Sequence, residues 1–303
     1  GGDRPAKNYE AVWHAMASGI IEGSIFAPFI TYHPNGGCSS STWFHGADWL
    51  DMNMLQSGHC LLDTPNWDMI THDYNLSPIK PVLDGEPNYE DHPIDPYKRK
   101  WEPGMGRFTD YDVRKAAYRS VFSGACGHTY GHHSIWQFWR EDRQPITFPN
   151  RTWERALENP GAAQLIHLKN LVLSRPYLTR IPDQDLLVGE AAPPPPDEEQ
   201  RSDPRRACHP RACRDGCSRY ALIYVPCPNQ TIRVNLEKLA GDMRASWFNP
   251  RSGEMTPIGS VENWGIESFT TPAEGPDWVL MLDVIGQGLP ETGKLTYKHV
   301  NPL

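Results

Sequence analysis

The carboxylate of Glu86 is the first candidate for chemistry in this sequence of 303 residues. It follows a strand-like run at residues 80–83 and lies between Gly85, which lets the backbone turn, and Pro87, which stiffens it. A carboxylate at the end of a strand can face a substrate and act as a nucleophile. The alternatives are an exposed loop acid and an ion-pair partner for Arg114.

A second carboxylate is needed if the chemistry is hydrolysis of a glycosidic bond, because one acid attacks the sugar while another donates a proton. Asp3, in the run GGDRP at residues 1–5, is the second candidate and would lie at the end of a strand. The alternative is a frayed chain terminus without a catalytic part. This chemistry needs no cofactor, so we expect none.

Histidine and tryptophan side chains crowd into the first half of the chain. Nine of the twelve His lie within residues 14–133, and eight of the eleven Trp lie within residues 13–153. Histidine and tryptophan side chains typically line the walls of a sugar-binding cleft, although an aromatic-rich core would give the same composition. The candidates for hydrogen bonding to a sugar or stacking on it are His33, Trp43, His59, Tyr89, His128, Tyr130, His132 and Trp136.

Metal chemistry and serine chemistry have less support from residue spacing. The histidines show no His-Glu-x-x-His motif, and the serines at residues 39–41 lack the Gly-x-Ser-x-Gly elbow of a serine hydrolase. Cys208, Cys213 and Cys217 have C-x4-C-x3-C spacing, which is not a common zinc arrangement. We therefore predict no metal site.

The elements that would position these residues alternate between strands and helices. Four runs predict strands: residues 27–32, 50–55, 80–83 and 127–136. Helical patterns separate them, and residues 111–123 place their apolar side chains on one face. Such alternation predicts βαβ units with a parallel sheet. Because the loops after parallel strands meet at one end of the sheet, the polar residues that follow these strands should form the rim of a pocket.

The C-terminal part of the chain has a different pattern. Residues 193–196 are four prolines and a dense Arg, Asp and Cys stretch follows, so we predict a linker or surface insertion over residues 186–218. Short strands with turns follow, which predicts a small antiparallel β-sandwich over residues 219–303. The catalytic part would then occupy residues 1–185.

Charge and hydropathy disfavour several classes of partner. Lys plus Arg minus Asp plus Glu is 29 − 37 = −8, which disfavours nucleic acid and anionic membranes as main partners. Mean hydropathy is −0.58, and no apolar run approaches the ~20 residues of a membrane span. We expect a carbohydrate partner, no nucleic acid and no membrane. The residues leave the oligomeric state open.

Taken together, these motifs resemble the apiosidase-like glycoside hydrolase family. The matching segments are GGDR at 1–4, HP with GG and SSSTWF within 33–44, LDMNMLQSGH at 50–59, KPVLDGEPNYE at 80–90, YDVRKAAY at 111–118 and GHTYGHHSIWQ at 127–137. These matches run in order over about the first 180 residues. Later segments, YALIYV at 220–225 and WFNPR at 247–251, are similar to the β-sandwich that follows this barrel and carries a collagen-binding label.

The resemblance implies a (β/α)8 barrel with catalytic acids on its fourth and seventh strands. Asp3 matches the acid/base position and Glu86 matches the nucleophile position. The implied reaction is retaining hydrolysis through a covalent glycosyl-enzyme intermediate. The known family substrate is apiose linked in a complex pectin, so the resemblance implies plant cell-wall or pectic glycans. It also implies a secreted or periplasmic protein.

The chain departs from the family pattern in two ways. It starts at the end of the fourth strand, so we expect an α/β fold that is only the C-terminal half of a (β/α)8 barrel. Half a barrel leaves sheet edges open, so we predict that the isolated chain is inactive and poorly stable. Residues 192–217 are not family-like and are a true insertion or a frame-shifted stretch. Two functions stay open: a retaining hydrolase, or a non-catalytic glycan- or matrix-binding protein with a degenerate barrel.

Overall fold

Helices and strands alternate through the first part of the chain, and strands dominate the second. A computed structural model describes residues 4–95, 101–190, 193 and 203–289, and the candidate Asp3 lies outside them. The helices are α1 (Glu10–Gly23), α2 (Ser41–Phe44), α3 (Asn66–Tyr74), α4 (Asp110–Phe122), α5 (His133–Trp136), α6 (Trp153–Ala156), α7 (Pro160–Leu173) and α8 (Pro204–Ala207). The strands are β1 (Cys38–Ser39), β2 (Asn53–Gln56), β3 (Val82–Asp84), β4 (Gly127–His128), β5 (Arg180–Pro182), β6 (Arg211–Asp215), β7 (Tyr220–Val225), β8 (Thr231–Asn235), β9 (Met243–Phe248), β10 (Met255–Val261), β11 (Ile266–Thr270) and β12 (Trp278–Val284). Within the described ranges, no helix combines the length and apolar character needed to cross a bilayer.

The first sheet contains four strands in the order β1–β2–β3–β4. Strands β2, β3 and β4 run parallel, whereas β1 pairs antiparallel with β2. An isolated parallel bridge between Thr31 and Met52 continues the parallel arrangement beside β2. The predicted α/β fold with a parallel sheet is therefore confirmed. That these strands are the C-terminal half of a (β/α)8 barrel stays a prediction.

The strand predicted over residues 127–136 is much shorter in the structure. Strand β4 ends at His128, and helix α5 begins at His133. The reason is a helix cap, because Nδ1 of His132 accepts a hydrogen bond from the backbone N–H of Ser134 at 3.1 Å. This bond satisfies one of the unpaired donors at the start of α5. The prediction of a strand beyond His128 is therefore wrong.

Helix α4 begins with a capping box. The hydroxyl and the backbone N–H of Thr109 both donate to Oδ2 of Asp112, each at 2.8 Å. The helix is buried on most of its circumference, because it contacts α3, α7 and strand β4 of the first sheet as well as β6 and β7 of the large antiparallel sheet. An amphipathic stripe alone would bury only one face. Helix α4 is thus an internal element shared by both parts of the molecule.

The second part of the chain forms antiparallel sheets. Six strands pair in the order β10–β9–β12–β7–β6–β5, and a two-stranded sheet pairs β11 with β8. One face of the large sheet packs against Ile232, Val234 and Phe269 of the small sheet. The other face packs against α4 and α7. The predicted antiparallel β region is therefore confirmed, with one face covered by helices of the first part.

Part of the segment predicted as an unpacked linker, residues 186–218, is packed. Strand β6 lies between β5 and β7 in the large sheet, and Cys208 forms a disulfide with Cys227. Nη2 of Arg119 donates to three backbone carbonyls between residues 206 and 209, at 2.6 to 3.0 Å. The prediction of a surface linker is wrong for residues 203–218, because β6 is paired on both sides, Cys208 is bonded to Cys227 and Arg119 holds the backbone before β6.

Candidate active site

Strand β3 leads directly to Glu86. The strand ends at Asp84, and the N–H of Gly85 donates to the carbonyl of Leu55 at 2.9 Å. A Cβ at Gly85 would overlap the side chain of Met54, so a larger residue at position 85 would require Met54 to move. Because β2 and β3 run parallel here, Glu86 emerges at the carboxyl ends of both strands.

The carboxylate of Glu86 is held between two histidines. Nε2 of His33 lies 2.8 Å from Oε2, and Nε2 of His59 lies 3.1 Å from Oε1. Burial raises the pKa of Glu86, but hydrogen bonds and charge from the two histidines outweigh burial and lower the pKa from 4.5 to about 2. The Glu86 side chain is 18 % exposed. It is therefore ionised at neutral pH and reachable from solvent.

The proton positions on His33 follow from its two partners. Nδ1 lies 2.9 Å from the carbonyl oxygen of Pro34, and Nε2 faces the Glu86 carboxylate. Neither partner can donate a hydrogen, so both ring nitrogens must donate and His33 is assigned as an imidazolium. One positive and one negative charge are therefore in contact at this position.

His59 contacts the same carboxylate through one ring nitrogen. Its Nε2 has Glu86 as partner, whereas Nδ1 is buried without a hydrogen-bond partner among the residues that the structure describes. A hydrogen on Nδ1 would be buried and unpaired, which is costly. The contact with Glu86 is therefore a hydrogen bond from the Nε2–H of His59 to Oε1.

Asp84 fixes the base of the loop that carries Glu86. Its carboxylate accepts hydrogen bonds from Oγ of Ser57 at 2.8 Å and from Nδ2 of Asn66 at 3.2 Å. The side chain is fully buried, and burial raises the pKa of Asp84 from 3.8 to about 6 despite these bonds. Asp84 thus ties together the segment after β2, the end of β3 and the start of α3.

A cleft of about 850 Å³ opens beside Glu86. Four of the predicted site residues line it: His59, Glu86, Tyr89 and Trp136. Trp136 is 45 % exposed, and the ring of Tyr89 lies 4.4 Å from that of His59. Behind Tyr89, a Cβ at Gly131 would overlap the phenol ring. An exposed indole near an ionised carboxylate provides a stacking surface for a sugar ring.

Tyr130 and His132, two further predicted site residues, hold the neighbouring loops together. The hydroxyl of Tyr130 donates to Oε2 of Glu90 at 2.6 Å, and the backbone N–H of Gly161 donates to the same oxygen at 3.1 Å. His132 is buried and caps α5 through Ser134. These bonds give both residues an architectural place next to the cleft rather than in it.

Trp43 and His128 lie away from the Glu86 cleft. Trp43 packs edge-on against Tyr32, with ring centroids 6.2 Å apart, in an aromatic cluster that includes Phe44. His128 borders a separate apolar cavity of about 550 Å³ between β4, α4 and α7. Burial lowers the pKa of His128 to about 3, so its ring is neutral. The structure therefore does not bring these two residues together with Glu86.

Two histidines that the sequence did not single out lie next to the cleft. His92 lines it with its ring 4.5 Å from that of His59, and the ring of His133 lies 4.5 Å beyond, edge-on to His92. The place of His92, three residues after Tyr89 in the same loop, is a weak signal. No spacing pattern distinguishes His92 or His133 from the neighbouring His132.

A larger polar cavity of about 940 Å³ lies on the other side of this loop, around Glu90 and Asp91. Two of its arginines are already engaged. Nε of Arg151 lies 2.9 Å from Oδ2 of Asp91, and Nη1 of Arg107 donates to the Asp91 carbonyl at 2.8 Å. Size alone therefore does not make this cavity the candidate site, because Arg151 and Arg107 are already bonded to Asp91.

The structure also decides between the alternatives that the sequence left open. Glu86 does not pair with Arg114, whose partner is Asp277, with Nε and Oδ2 2.8 Å apart. The serines at residues 39–41 are held structurally, since Ser39 and Ser41 both donate to the carboxylate of Asp73. Across the described ranges, His, Cys, Asp and Glu side chains form no group of three or more that could hold a metal.

Family models match the chain in two consecutive segments. A model described as "Apiosidase-like, catalytic domain" matches residues 1–179, and one described as "Putative collagen-binding domain of a collagenase" matches residues 181–283. No curated protein matches the sequence. The first model covers more than half of the chain and includes the Glu86 cleft.

Two solved structures are similar in both sequence and fold. One, described as a glycoside hydrolase, is 31 % identical with a TM-score of 0.81, over 96 % of this chain and 65 % of its own. The other, a glycoside hydrolase family 5 protein from Bacteroides vulgatus ATCC 8482, is 32 % identical with a TM-score of 0.82, over 98 % of this chain and 63 % of its own. This chain thus spans slightly less than two thirds of either relative. By its motifs, its fold and these matches, the chain belongs to the apiosidase-like catalytic-domain family and continues into a collagen-binding-like domain.

Proposed function

We propose that this chain belongs to a retaining glycoside hydrolase in which Glu86 is the nucleophile. The observation that carries the proposal is an ionised carboxylate at a strand end, held by His33 and His59 and facing a cleft with an exposed indole. Membership of the apiosidase-like family and two similar structures described as glycoside hydrolases support it.

In the proposed reaction, a lone pair of the Glu86 carboxylate attacks the anomeric carbon of the sugar. The bond from that carbon to the leaving-group oxygen breaks as Asp3, the proposed acid, gives that oxygen a proton. Water then hydrolyses the glycosyl ester, with the Asp3 carboxylate taking the water proton. Each Glu86 oxygen has two lone pairs, so a hydrogen bond from His33 or His59 leaves one free for attack.

We further propose that the substrate is a pectic or other plant cell-wall glycan. Trp136 and Tyr89 would offer faces for sugar rings, while the ion pair of His33 and Glu86 and the ring of His59 would contact hydroxyl groups. A secreted or periplasmic location is part of the proposal. The disulfide between Cys208 and Cys227 supports it, since disulfides persist in oxidising compartments.

The test is chemical rescue of Glu86→Ala in the full-length protein, assayed on activated aryl glycosides and pectic oligosaccharides. We expect turnover to fall roughly a thousandfold or more, because the nucleophile is removed. Added azide should restore cleavage of the aryl glycoside and yield a glycosyl azide of inverted configuration, since azide attacks the anomeric carbon directly. Glu141→Gln, at an exposed loop carboxylate, is the matched control and should keep full turnover.

Two outcomes would contradict the proposal. Retained turnover in Glu86→Ala would exclude Glu86 as the nucleophile. A wild-type protein that binds pectic oligosaccharides without cleaving any glycoside would instead favour the non-catalytic binding function. An experimental structure in which the Asp3 and Glu86 carboxyl groups lie about 5–5.5 Å apart would support retention, whereas about 6.5–9.5 Å would favour inversion.

A further inference from the structure

The ring of His59 is held at Glu86 by only one hydrogen bond. Nε2 faces Oε1 of Glu86 at 3.1 Å, while Nδ1 is buried with no hydrogen-bond partner among the described residues. A single bond does not fix the plane of an imidazole, because the ring can rotate about its χ2 angle. The ring orientation must therefore come from packing, and the rings in contact with His59 are those of Tyr89 and His92.

His92 is the more rigid of these two neighbours. It is 1 % exposed, and its ring lies 4.5 Å from that of His59 with 33° between the planes. Its Nδ1 donates to the carbonyl of Pro93 at 2.7 Å, and its backbone carbonyl accepts from the N–H of Phe108 at 3.0 Å. Both the side chain and the backbone of His92 are thus anchored.

The His92 ring is also electrically neutral. Burial lowers the pKa of His92 from 6.5 to about 2, and the nearby His59, His133 and Arg107 oppose a further positive charge. The hydrogen on Nδ1 is fixed by the bond to Pro93. A neutral His92 ring can pack closely against His59 without repelling it and without attracting the Glu86 carboxylate away from it.

His133 supports His92 from the far side. Its ring meets His92 edge-on, with centroids 4.5 Å apart and 80° between the planes, and it is fully buried. Nε2 of His133 lies 3.1 Å from Oγ1 and 3.2 Å from the carbonyl oxygen of Thr147. Burial lowers the pKa of His133 to about 4, so this ring is neutral as well. A column of three rings, His133–His92–His59, therefore runs from the 147 loop to Glu86.

We propose that His92 is a positioning residue, which holds the ring plane of His59 so that its Nε2–H stays on the Glu86 carboxylate. The inference rests on the proposed role of Glu86 as the nucleophile. The charged groups that face Glu86 itself are His33 and, when protonated, His59. His92 touches neither Glu86 nor a substrate in this proposal and acts only through His59.

The test uses nuclear magnetic resonance of the full chain with 15N-labelled histidine and 13C-labelled glutamate carboxyls, so it does not require turnover. In the wild type, His92 should be a neutral Nδ1–H tautomer at pH 7, and His59 should show an Nε2–H. In His92→Ala, we expect the Glu86 carboxyl to titrate about one pH unit higher, a tenfold weaker preference for the ionised form. His92→Phe keeps a ring against His59 and should leave the Glu86 titration unchanged. His72→Ala, at an exposed histidine on α3, is the matched control.

Several results would overturn the proposal. A wild-type His92 that is protonated or is an Nε2–H tautomer at pH 7 would remove its basis. An unchanged Glu86 titration in folded His92→Ala would show that His59 does not need His92. If His92→Ala does not fold, His92→Phe decides, because a raised Glu86 titration there would show that the ring itself does not position His59. None of these readouts depends on hydrolysis, so a failed glycosidase assay would leave this test intact.

Discussion

Arg114 on helix α4 and Asp277 just before β12 form a two-pronged ion pair. Nε lies 2.8 Å from Oδ2 and Nη2 lies 2.9 Å from Oδ1. Both side chains are fully buried, and the hydroxyl of Tyr224 donates to the same carboxylate at 3.0 Å. The pair joins helix α4 of the first part to the large sheet of the second. The segments that match the two family models are therefore in direct contact through a buried ion pair.

We predict that Asp277→Asn lowers the free energy of unfolding by about 3–5 kcal/mol, because the buried guanidinium of Arg114 loses its buried counter-charge and keeps only the partly exposed Asp110. Urea denaturation followed by tryptophan fluorescence measures the change. The matched control is Asp142→Asn, which removes the partner of Arg140 in an exposed pair and should cost less than about 1 kcal/mol. Equal losses in both variants would show that the interdomain pair contributes no more than a surface contact.

The low pKa of Glu86 predicts how this residue contributes to stability as pH falls. Its folded pKa of about 2 lies below the ordinary unfolded value of about 4.3, so its stabilising contribution is present above that value. The contribution is lost as pH falls through the folded pKa. The stability difference between wild type and Glu86→Gln should therefore shrink from pH 5 to pH 2. Glu141→Gln should show a constant difference, and a constant difference for Glu86→Gln as well would mean that its pKa is ordinary.

The disulfide between Cys208 and Cys227 should stabilise the C-terminal sheets. The two cysteines are 19 residues apart, and closing a loop of this size in the unfolded chain is worth about 3 kcal/mol. Replacing both by Ser should therefore lower the free energy of unfolding by about that amount, whereas Cys217→Ser, at an exposed free thiol, should not. Alkylation of the denatured chain should label five cysteines before reduction and seven, 5 + 2, after it. Seven labels without reduction would contradict the pairing.

Gly131→Ala should disturb the cleft through Tyr89. A Cβ at Gly131 would overlap the phenol ring, and forcing a methyl group into a packed site typically costs about 1–3 kcal/mol. We expect lower stability and weaker glycan binding, measured by denaturation and calorimetry. Gly19→Ala on helix α1 is the control, since nothing lies near its Cβ position and alanine favours a helix by about 1 kcal/mol. Unchanged binding in Gly131→Ala would show that Tyr89 does not shape the cleft.

The contact of Glu86 with His33 and His59 could be anticipated from the sequence. Glu86, His33 and His59 each follow a strand-like run, and parallel strands bring such positions to one end of the sheet. Gly85 also follows a strand-like run, so its position predicts a turn between the strand and the next loop. The predicted helix over residues 111–123 corresponds closely to α4. These features depend on local sequence patterns, so the sequence is sufficient to predict them.

Other features depend on partners that are distant in the sequence. Trp43 and His128 are polar aromatic residues in the N-terminal half of the chain, where the site lies. Composition does not indicate whether either side chain points toward the cleft or away from it. His92 gains its place from ring contacts with His59 and His133, and no spacing rule encodes such contacts. Strand β6 is not predicted from the sequence because it contains two arginines, and the carboxylate that pairs with Arg214 belongs to Asp183, far away in the sequence.

Helix α4 contacts both α3 and β4 of the first part and β6 and β7 of the second, and this has a consequence for how the protein can evolve. Its apolar residues Ala117, Tyr118 and Val121 share a core with Leu222 and Tyr224 of the C-terminal sheet. A recombination event that joined either part to an unrelated neighbour would leave this helix with a mismatched surface. We therefore expect the two segments to be inherited as one unit, with substitutions on α4 and on β7 arising in compensating pairs.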